Sequence, residues 1–517
     1  MSGQIPLRLV EDEGGSYYVS ERKVYPRDVS GTFTRLRIAA VIWLLGMFYV
    51  FPWLRWDGRQ AVLLDLPARQ FHIFGLLFLP QDFLFLAMLL IIAALALFFF
   101  TALAGRLWCG YACPQTVWTE VSLWIERLCE GDRNKRMKLD AGPWNREKVL
   151  RKGSSWLLWA LFSLWTGFTF VGFFSPITDL ARRAPFGWGG WETFWVLFYG
   201  FATWGNAGFL RQQVCKYMCP YARFQSAMFD RNTLIIAYDA MRGEPRGPRK
   251  RGLPSVLERA RGLLDPFTAY DYAFRASLHP SAADQRAQAG GTIALIRPGE
   301  KVEPLPVFKP EELGDCIDCT ICVQVCPTGI DIRNGLQYEC IACGACIDAC
   351  NEVMDKMNYP RGLIRYATQN SIDGKPSRIL RPRIVVYGLL LLALMTGWVY
   401  GVTHRSPLIA EAIRDRNAMY SIAEDGRVEN SYTIKLVNKD TRPHRFVIDV
   451  STQDLPGAVL RDGSKTVQAA SGQVVAVPVT VSASSEITGR HDVHFRIRGV
   501  DVDAERTIDS SFFGPNL

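Results

Sequence analysis

Thiols are the residues here whose type and spacing could do chemistry. Thirteen cysteines occur in 517 residues, and twelve of them fall into tight groups. Cys316, Cys319, Cys322 and Cys326 follow C-x-x-C-x-x-C-x-x-x-C with Pro327 next. Cys340, Cys343, Cys346 and Cys350 repeat the pattern, with Asn351 in place of the proline. Three cysteines on a tight loop can wrap three corners of a cubane, while the fourth is carried away to the other cluster. That rule gives one [4Fe–4S] cluster to Cys316, Cys319, Cys322 and Cys350, and a second to Cys326, Cys340, Cys343 and Cys346. Zinc also takes four thiolates at C-x-x-C spacing, but two interlocking quartets fit a bacterial ferredoxin better. Gly344 would let the backbone approach sulfide, and loop amides would tune the potential. Such clusters carry single electrons and have no substrate pocket, so this stretch reads as a wire.

Two smaller groups repeat each other: Trp108-Cys109-Gly110-Tyr111-Ala112-Cys113-Pro114 and Val214-Cys215-Lys216-Tyr217-Met218-Cys219-Pro220. On a helix, this spacing would put each pair on one face. Soft thiolates favour Cu(I), zinc or iron–sulfur centres, so copper, a shared metal centre and a reversible dithiol are all open. Arg106 and Lys216 could stabilise thiolate, and Met218 could add a thioether. Met47, Met88, Met228, His72 and His404 read as packing or surface residues, and Cys129 as an inert thiol. Cysteines this close rarely bridge each other. Thiols kept reduced point to the cytoplasmic side.

The elements that must position these thiols are apolar helices. Five segments have the length and apolarity of membrane spans: 38–54, 83–103, 156–174, 194–210 and 384–402. Gly200, Gly205, Asn206 and Gly208 dilute the fourth; small residues there would admit close helix approach, and Asn206 would need an interhelical partner. The run 71–79 is too short to span and reads as interfacial. Lys and Arg gather after the second and fourth spans, including Arg133, Lys135, Arg136, Arg249, Lys250 and Arg251. This places the N-terminus and the cysteine-rich insert in the cytoplasm and the C-terminal tail in the periplasm. The polar stretch 1–30 shows no signal peptide. A net charge of +9 then reflects loops attracted to anionic lipid rather than nucleic acid. The Arg249–Arg251 run reads as a topology signal.

Beyond the last span the period becomes two. Tyr432, Ile434 and Leu436 alternate with Thr433 and Lys435; Val475, Val477, Val479 and Val481 share a face; Val493, Phe495 and Ile497 form another. This predicts an immunoglobulin-like β-sandwich used for docking or covering, with Pro478 at an edge. The expected organisation is a cytoplasmic segment (1–37), a four-helix membrane domain (38–242), a loosely packed linker (243–310) and a double [4Fe–4S] ferredoxin-like α+β domain (311–360). A linker (361–383), a fifth transmembrane helix (384–402) and a periplasmic sandwich (403–517) complete it.

Membrane helices, paired C-x-x-x-C-P motifs, a double ferredoxin insert and a C-terminal immunoglobulin-like domain together resemble the cytochrome c oxidase accessory protein family CcoG, also called FixG or RdxA. The string Trp108 to Trp118 is close to that family's signature. The paired motifs are more distantly similar to the NapH and NosR membrane electron-transfer proteins. The resemblance implies a bacterial inner-membrane protein that reduces Cu(II) to Cu(I) while cbb-type oxidase is assembled. It implies copper chaperones and oxidase assembly factors as partners, beside membrane lipid and a cytoplasmic electron donor. It makes the eight insert cysteines cluster ligands, and Cys109, Cys113, Cys215 and Cys219 the candidate copper or redox thiols. A quinol-oxidising respiratory component and a non-catalytic copper-binding scaffold are the competing functions.

Overall fold

The computed structural model describes residues 23–249, 251–262, 313–416, 418–451, 455 and 457–515. The expectations for 1–22, for Lys250 and for most of the linker lie outside these residues.

Long apolar runs without turn signals give helices, labelled α1 (Thr32–Val50), α2 (Phe83–Ala104), α3 (Pro114–Glu130), α4 (Arg146–Val171), α5 (Gly190–Thr203), α6 (Ala345–Met357) and α7 (Pro382–Thr403). Among the described residues, four stretches are long and apolar enough to cross a bilayer: Thr32–Trp53, Pro80–Ala104, Arg146–Val171 and Pro382–Thr403. Their outer faces stay exposed at Phe83, Leu90, Leu157 and Leu392, as side chains facing lipid would be. The span expected at 194–210 is of another kind. α5 continues as π-helical turns over Trp204–Leu210, so it is not one regular apolar helix. It packs along α4 so closely that a Cβ at Gly167 would lie 2.3 Å from the Val196 carbonyl oxygen. Small residues permit this approach of backbones. The π turns leave the Asn206 carbonyl to accept from Gln115 Nε2 at 2.8 Å, so a bond expected of its side chain is made by its backbone.

α1, α2, α4, α5 and α7 run between two poles. At one pole, the insert caps the first helix. The Phe33 and Thr34 amides donate to the Asp348 carboxylate at 3.3 and 2.7 Å. Asp348 lies on α6 between two cluster cysteines, and it approaches so closely that only glycine fits at position 31. A carboxylate at a helix N-terminus satisfies orphan N–H groups and opposes the helix dipole.

The other pole holds a small antiparallel sheet of β1 (Val62–Asp65), β2 (Gln70–Ile73) and β3 (Leu76–Phe78). The run 71–79 folds as a hairpin of β2 and β3, and Leu77 and Leu79 are buried with Val437. Asp82, just before α2, pairs with Lys439 at 2.6 Å, with both side chains only 6% exposed. Arg405 donates to the Leu77 carbonyl at 2.7 Å, and Gln70 to that of Gly472.

Lys439 belongs to the sandwich. Its strands follow β4 (Ile235–Tyr238) and β5 (Ile364–Ala367), which belong to the insert. They are β6 (Leu408–Arg414), β7 (Ser421–Ile422), β8 (Val428–Asn438), β9 (His444–Ser451), β10 (Val459–Leu460), β11 (Lys465–Ala469), β12 (Val474–Ala483), β13 (Arg490–Gly499) and β14 (Glu505–Phe513). One sheet runs β10-β12-β8-β6, with β7 also on β8; the other runs β11-β9-β13-β14. The period-two residues Ile434, Leu436, Val481, Phe495 and Ile497 fill the core between them. Pro478 sits on an inner strand, yet β10 covers only Val481 and Ser482, so its own stretch of β12 has an open side.

Asp82→Asn leaves Lys439 buried without a counter-charge, a change that costs about 3–5 kcal/mol. We expect the sandwich of the purified full chain to detach, and proteolysis between Thr403 and Leu408 to quicken; an unchanged cleavage rate would show that the pair does not hold the two units together.

Candidate iron–sulfur and thiol centres

The insert is framed by β4 and β5, which pair antiparallel from Ile235↔Ala367 to Tyr238↔Ile364. Its compact unit therefore reaches beyond 311–360 on both sides. The linker expected to be loose is packed where it is described. Asp315 is buried and holds Arg242 at 2.7 Å, Arg249 at 3.8 Å and the Val256 amide at 2.8 Å. Arg249 also lies over the Tyr359 ring. Its charge is enclosed by the insert.

The cysteine repeat is also a backbone repeat. Asp318 and Thr320 in the first loop, and Ala342 and Gly344 in the second, all have positive φ. These are the second and fourth positions after Cys316 and after Cys340. Such left-handed turns aim successive amides into an anion-binding hollow. At Gly344 a side chain is excluded twice, by φ +77° and by Phe33 of α1, whose Cβ would lie 2.7 Å from an added Cβ. The close neighbour is thus the membrane domain, in addition to any sulfide. Asn351, the departure from proline, continues α6 and accepts from the Gly362 amide at 3.0 Å.

Each expected quartet borders its own cavity. Cys316, Cys319, Cys322 and Cys350 line one, walled by apolar residues such as Ile321, Met354 and Leu363. Cys326, Cys340, Cys343 and Cys346 line another, and Cys322 reaches this wall too. Among the described residues, no three His, Cys, Asp or Glu side chains close on a point as one ion requires. A zinc ion would need four thiolates about 2.3 Å from its centre. Two quartets of thiols, each bordering its own apolar-walled hollow, suit cubanes. Burial pushes the Cys322 and Cys340 thiols up to about 12, so thiolates here need compensating charge. Arg333 supplies it near Cys322, Arg37 near Cys343 and Arg106 near Cys340.

The smaller pairs depart from the expected single helical face. Cys109 lies on the short helix Leu107–Tyr111 and Cys215 on the π turn Val214–Met218. Cys113 and Cys219 are extended, with ψ of 128° and 107°, and each caps a helix that begins with proline. A residue before proline is driven out of the helical region, and proline suits the first helical position. The Cys-Pro step therefore turns each second thiol off its helix. The charges of Cys113, Cys215 and Cys219 nonetheless all act on Cys109. Burial pushes Cys109 up to about 12 and Cys215 to about 11, with Arg106 pulling both back. Such thiols are poor nucleophiles unless a metal draws off the proton, which disfavours a reversible dithiol. Met218, expected as a thioether donor, is 61% exposed.

What the sequence reading missed is how the pairs meet the insert. An added Cβ on Gly110 would lie 2.7 Å from the Ile341 carbonyl oxygen and 3.0 Å from that of Ala342. Tyr111 donates to the Cys343 carbonyl at 3.4 Å and Tyr366 to that of Ala342 at 2.6 Å. Arg106, 4% exposed, donates to the carbonyls of Ala222 and Cys340. Cys109 packs on the apolar cluster of Ile341 and Cys343. The motif's own Gly and Tyr were the available signal.

Comparison with known proteins gives concordant results. Residues 210–261 and 290–369 match a 4Fe-4S dicluster domain, and 86–131 match a 4Fe-4S binding domain. Residues 398–515 match the model described as "IG-like fold at C-terminal of FixG, putative oxidoreductase". The nitrogen fixation protein FixG of Rhizobium meliloti is 35% identical over 489 residues, 86% of this chain and 82% of that one. The chain belongs to the FixG/RdxA/RdxB family. The RdxA and RdxB proteins of Cereibacter sphaeroides are likewise each 35% identical, over 84% and 86% of this chain and 83% and 85% of theirs. A crystal structure of a FixG-related protein from Vibrio parahaemolyticus, 25% identical, covers 21% of this chain and 98% of its own, with a TM-score of 0.19. This FixG-family chain is thus a membrane iron–sulfur protein with 4Fe–4S binding domains.

Cys316→Ser and Cys340→Ser should each lose about four irons per chain relative to the parent, one cubane apiece. Iron and sulfide analysis of anaerobically purified protein measures this, and equal iron in parent and variants would remove these cysteines from the ligand sets.

Proposed function

We propose that this FixG-family protein takes electrons singly from a soluble donor at the insert's pole and reduces Cu(II) to Cu(I). The copper is destined for a cbb-type oxidase under assembly. The observation that carries this reading is the seam at Gly110, where the motif bearing Cys109 meets the loop Ile341–Cys343 backbone to backbone. A bound cubane exchanges one electron at a time without needing a proton; that is the chemistry it supplies.

The chain's own residues do the rest. Cys322 borders both cavities, which keeps the two quartets adjacent. Apolar walls exclude water, and Arg37, Arg106 and Arg333 offset thiolate charge. Cys109, Cys113, Cys215 and Cys219 stand where the electron leaves the insert. The substrate step is Cu(II) gaining one electron, with no bond to a carbon or oxygen centre made or broken. Soft sulfur favours the Cu(I) product. The Lys and Arg residues around the insert's pole support a cytoplasmic setting for it and a periplasmic one for the sandwich. Copper chaperones and oxidase assembly factors are the partners this function calls for.

With dithionite-reduced, anaerobic protein, added Cu(II) should reoxidise the clusters within seconds to minutes and yield Cu(I) trapped by a Cu(I)-selective chelator. Clusters that stay reduced in the presence of Cu(II) would end this proposal. Gly110→Val forces the seam apart, and misplacement by about 1 Å can cost up to about a hundredfold in rate. Reoxidation should slow accordingly while iron content stays at the parent value.

A further inference from the structure

The two quartets of the insert differ in the charges and hydrogen-bond donors set around them. At the second, Thr328 follows Cys326 by two residues, and its hydroxyl oxygen lies 3.3 Å from the Cys326 sulfur. Thr328 is 6% exposed and borders the same hollow as Cys326, Cys340, Cys343 and Cys346. A cysteine that ligates a metal centre is a thiolate with no proton to give, so the hydroxyl is then the donor.

Arg106 brings charge to this quartet from across the seam. It sits between α2 and the short helix that carries Cys109. Its guanidinium donates to the Cys340 carbonyl at 3.4 Å and to the Ala222 carbonyl at 2.8 Å. Its buried Nε–H has no acceptor. Among the described residues no carboxylate pairs with it. A buried cation without a counter-charge is costly, and four thiolates around a cubane in the adjoining hollow would supply one.

The first hollow is set differently. Arg333 borders it, but its guanidinium is taken by Asp331 at 2.7 Å and by Asp318. One cation there faces two carboxylates. Tyr238, on the same wall, donates its hydroxyl to Glu244 at 3.1 Å. Net charge and hydrogen bonds to sulfur set the potential of such clusters. An added electron makes a cubane more negative, so an unmatched cation and a donor to sulfur favour the reduced form. Nearby carboxylates oppose it, and burial strengthens both effects.

We propose that Thr328 and Arg106 give the second quartet the higher potential of the two, which directs electrons from the first quartet toward the seam at Gly110. This rests on the reading in which the insert is a wire ending at that seam. One electron leaves the reduced first cluster and enters the oxidised second, and no proton or covalent bond moves. Thr328 and Arg106 are positioning residues in this step, acting through the sulfur and the backbone they touch. Arg106 belongs to the membrane side of the seam, so the full potential difference exists only when insert and membrane domain are docked.

An anaerobic redox titration of the full-length protein, followed by EPR and without copper, should resolve two one-electron waves. Thr328→Val should shift the higher wave downward and leave the lower one in place, and Thr328→Ser should restore the parent value. Arg106→Gln should lower the same wave at unchanged iron content, with Arg106→Lys shifting it less. Two coincident waves in the parent would overturn the proposal, as would Thr328→Val moving the lower wave or neither. So would Arg106→Gln with full iron and unmoved waves. If Arg106→Gln fails to fold, the Thr328 pair decides. No Cu(II) is added here, so a failed ordering leaves the copper-reduction assay standing, and a failed reduction assay leaves the ordering standing.

Discussion

The insert and the motif bearing Cys109 meet at one tight backbone contact. Between Gly110 and the carbonyls of Ile341 and Ala342 there is no room for a methyl group. Electron transfer needs donor and acceptor to be close, and a side chain at 110 would put a layer of carbon between them. Arg106 and Tyr111 hold carbonyls on the same insert loop from across the seam. The seam is therefore fixed by two bonds to backbone oxygen, whose position does not depend on rotamers.

A second layer of constraint keeps that pole rigid. Glu126 is 1% exposed and pairs with Arg136 at 2.9 Å and Arg211 at 2.7 Å. Its carboxyl is held below the usual carboxylate range, with Arg211 as the main opposing charge to burial. Lys152 bridges Glu130 and Asp140, each at 2.7 Å, and Arg37 meets Glu120 at 3.3 Å. Buried ion pairs seldom add much stability over apolar packing, but breaking one is costly. Their effect here is to fix α3, α4 and the turn after α5 relative to one another, and so to fix the thiols that these elements carry.

Much of the architecture was legible because strong local signals carry it. Apolar runs gave the helices, period-two valines the sandwich, and the duplicated cysteine spacing the insert. Of the glycines expected to admit close packing, Gly200 and Gly208 lie against Leu164 and Trp159 of α4, while Gly205 has open space beside it. Much of what escaped is contacts between residues far apart in the chain. Nothing near Asp82 announces Lys439, and nothing near Arg249 announces Asp315. The short strands at 62–78 escaped because their hydrophobic faces cover a partner unit and not a core of their own. The paired cysteines were assigned a helical face because spacing alone favours it. Proline at the next position outweighed spacing by removing the second cysteine from the helical region.

The cap supplied by Asp348 ties two events of biogenesis together. Its carboxylate completes the start of the first membrane helix, yet it rides on α6 between Cys346 and Cys350. A chain emerging from the ribosome presents the helix more than three hundred residues before its cap. Until the cofactor-bearing unit has folded, those first amides lack this protein partner. Folding of the insert is thus part of completing the first membrane helix.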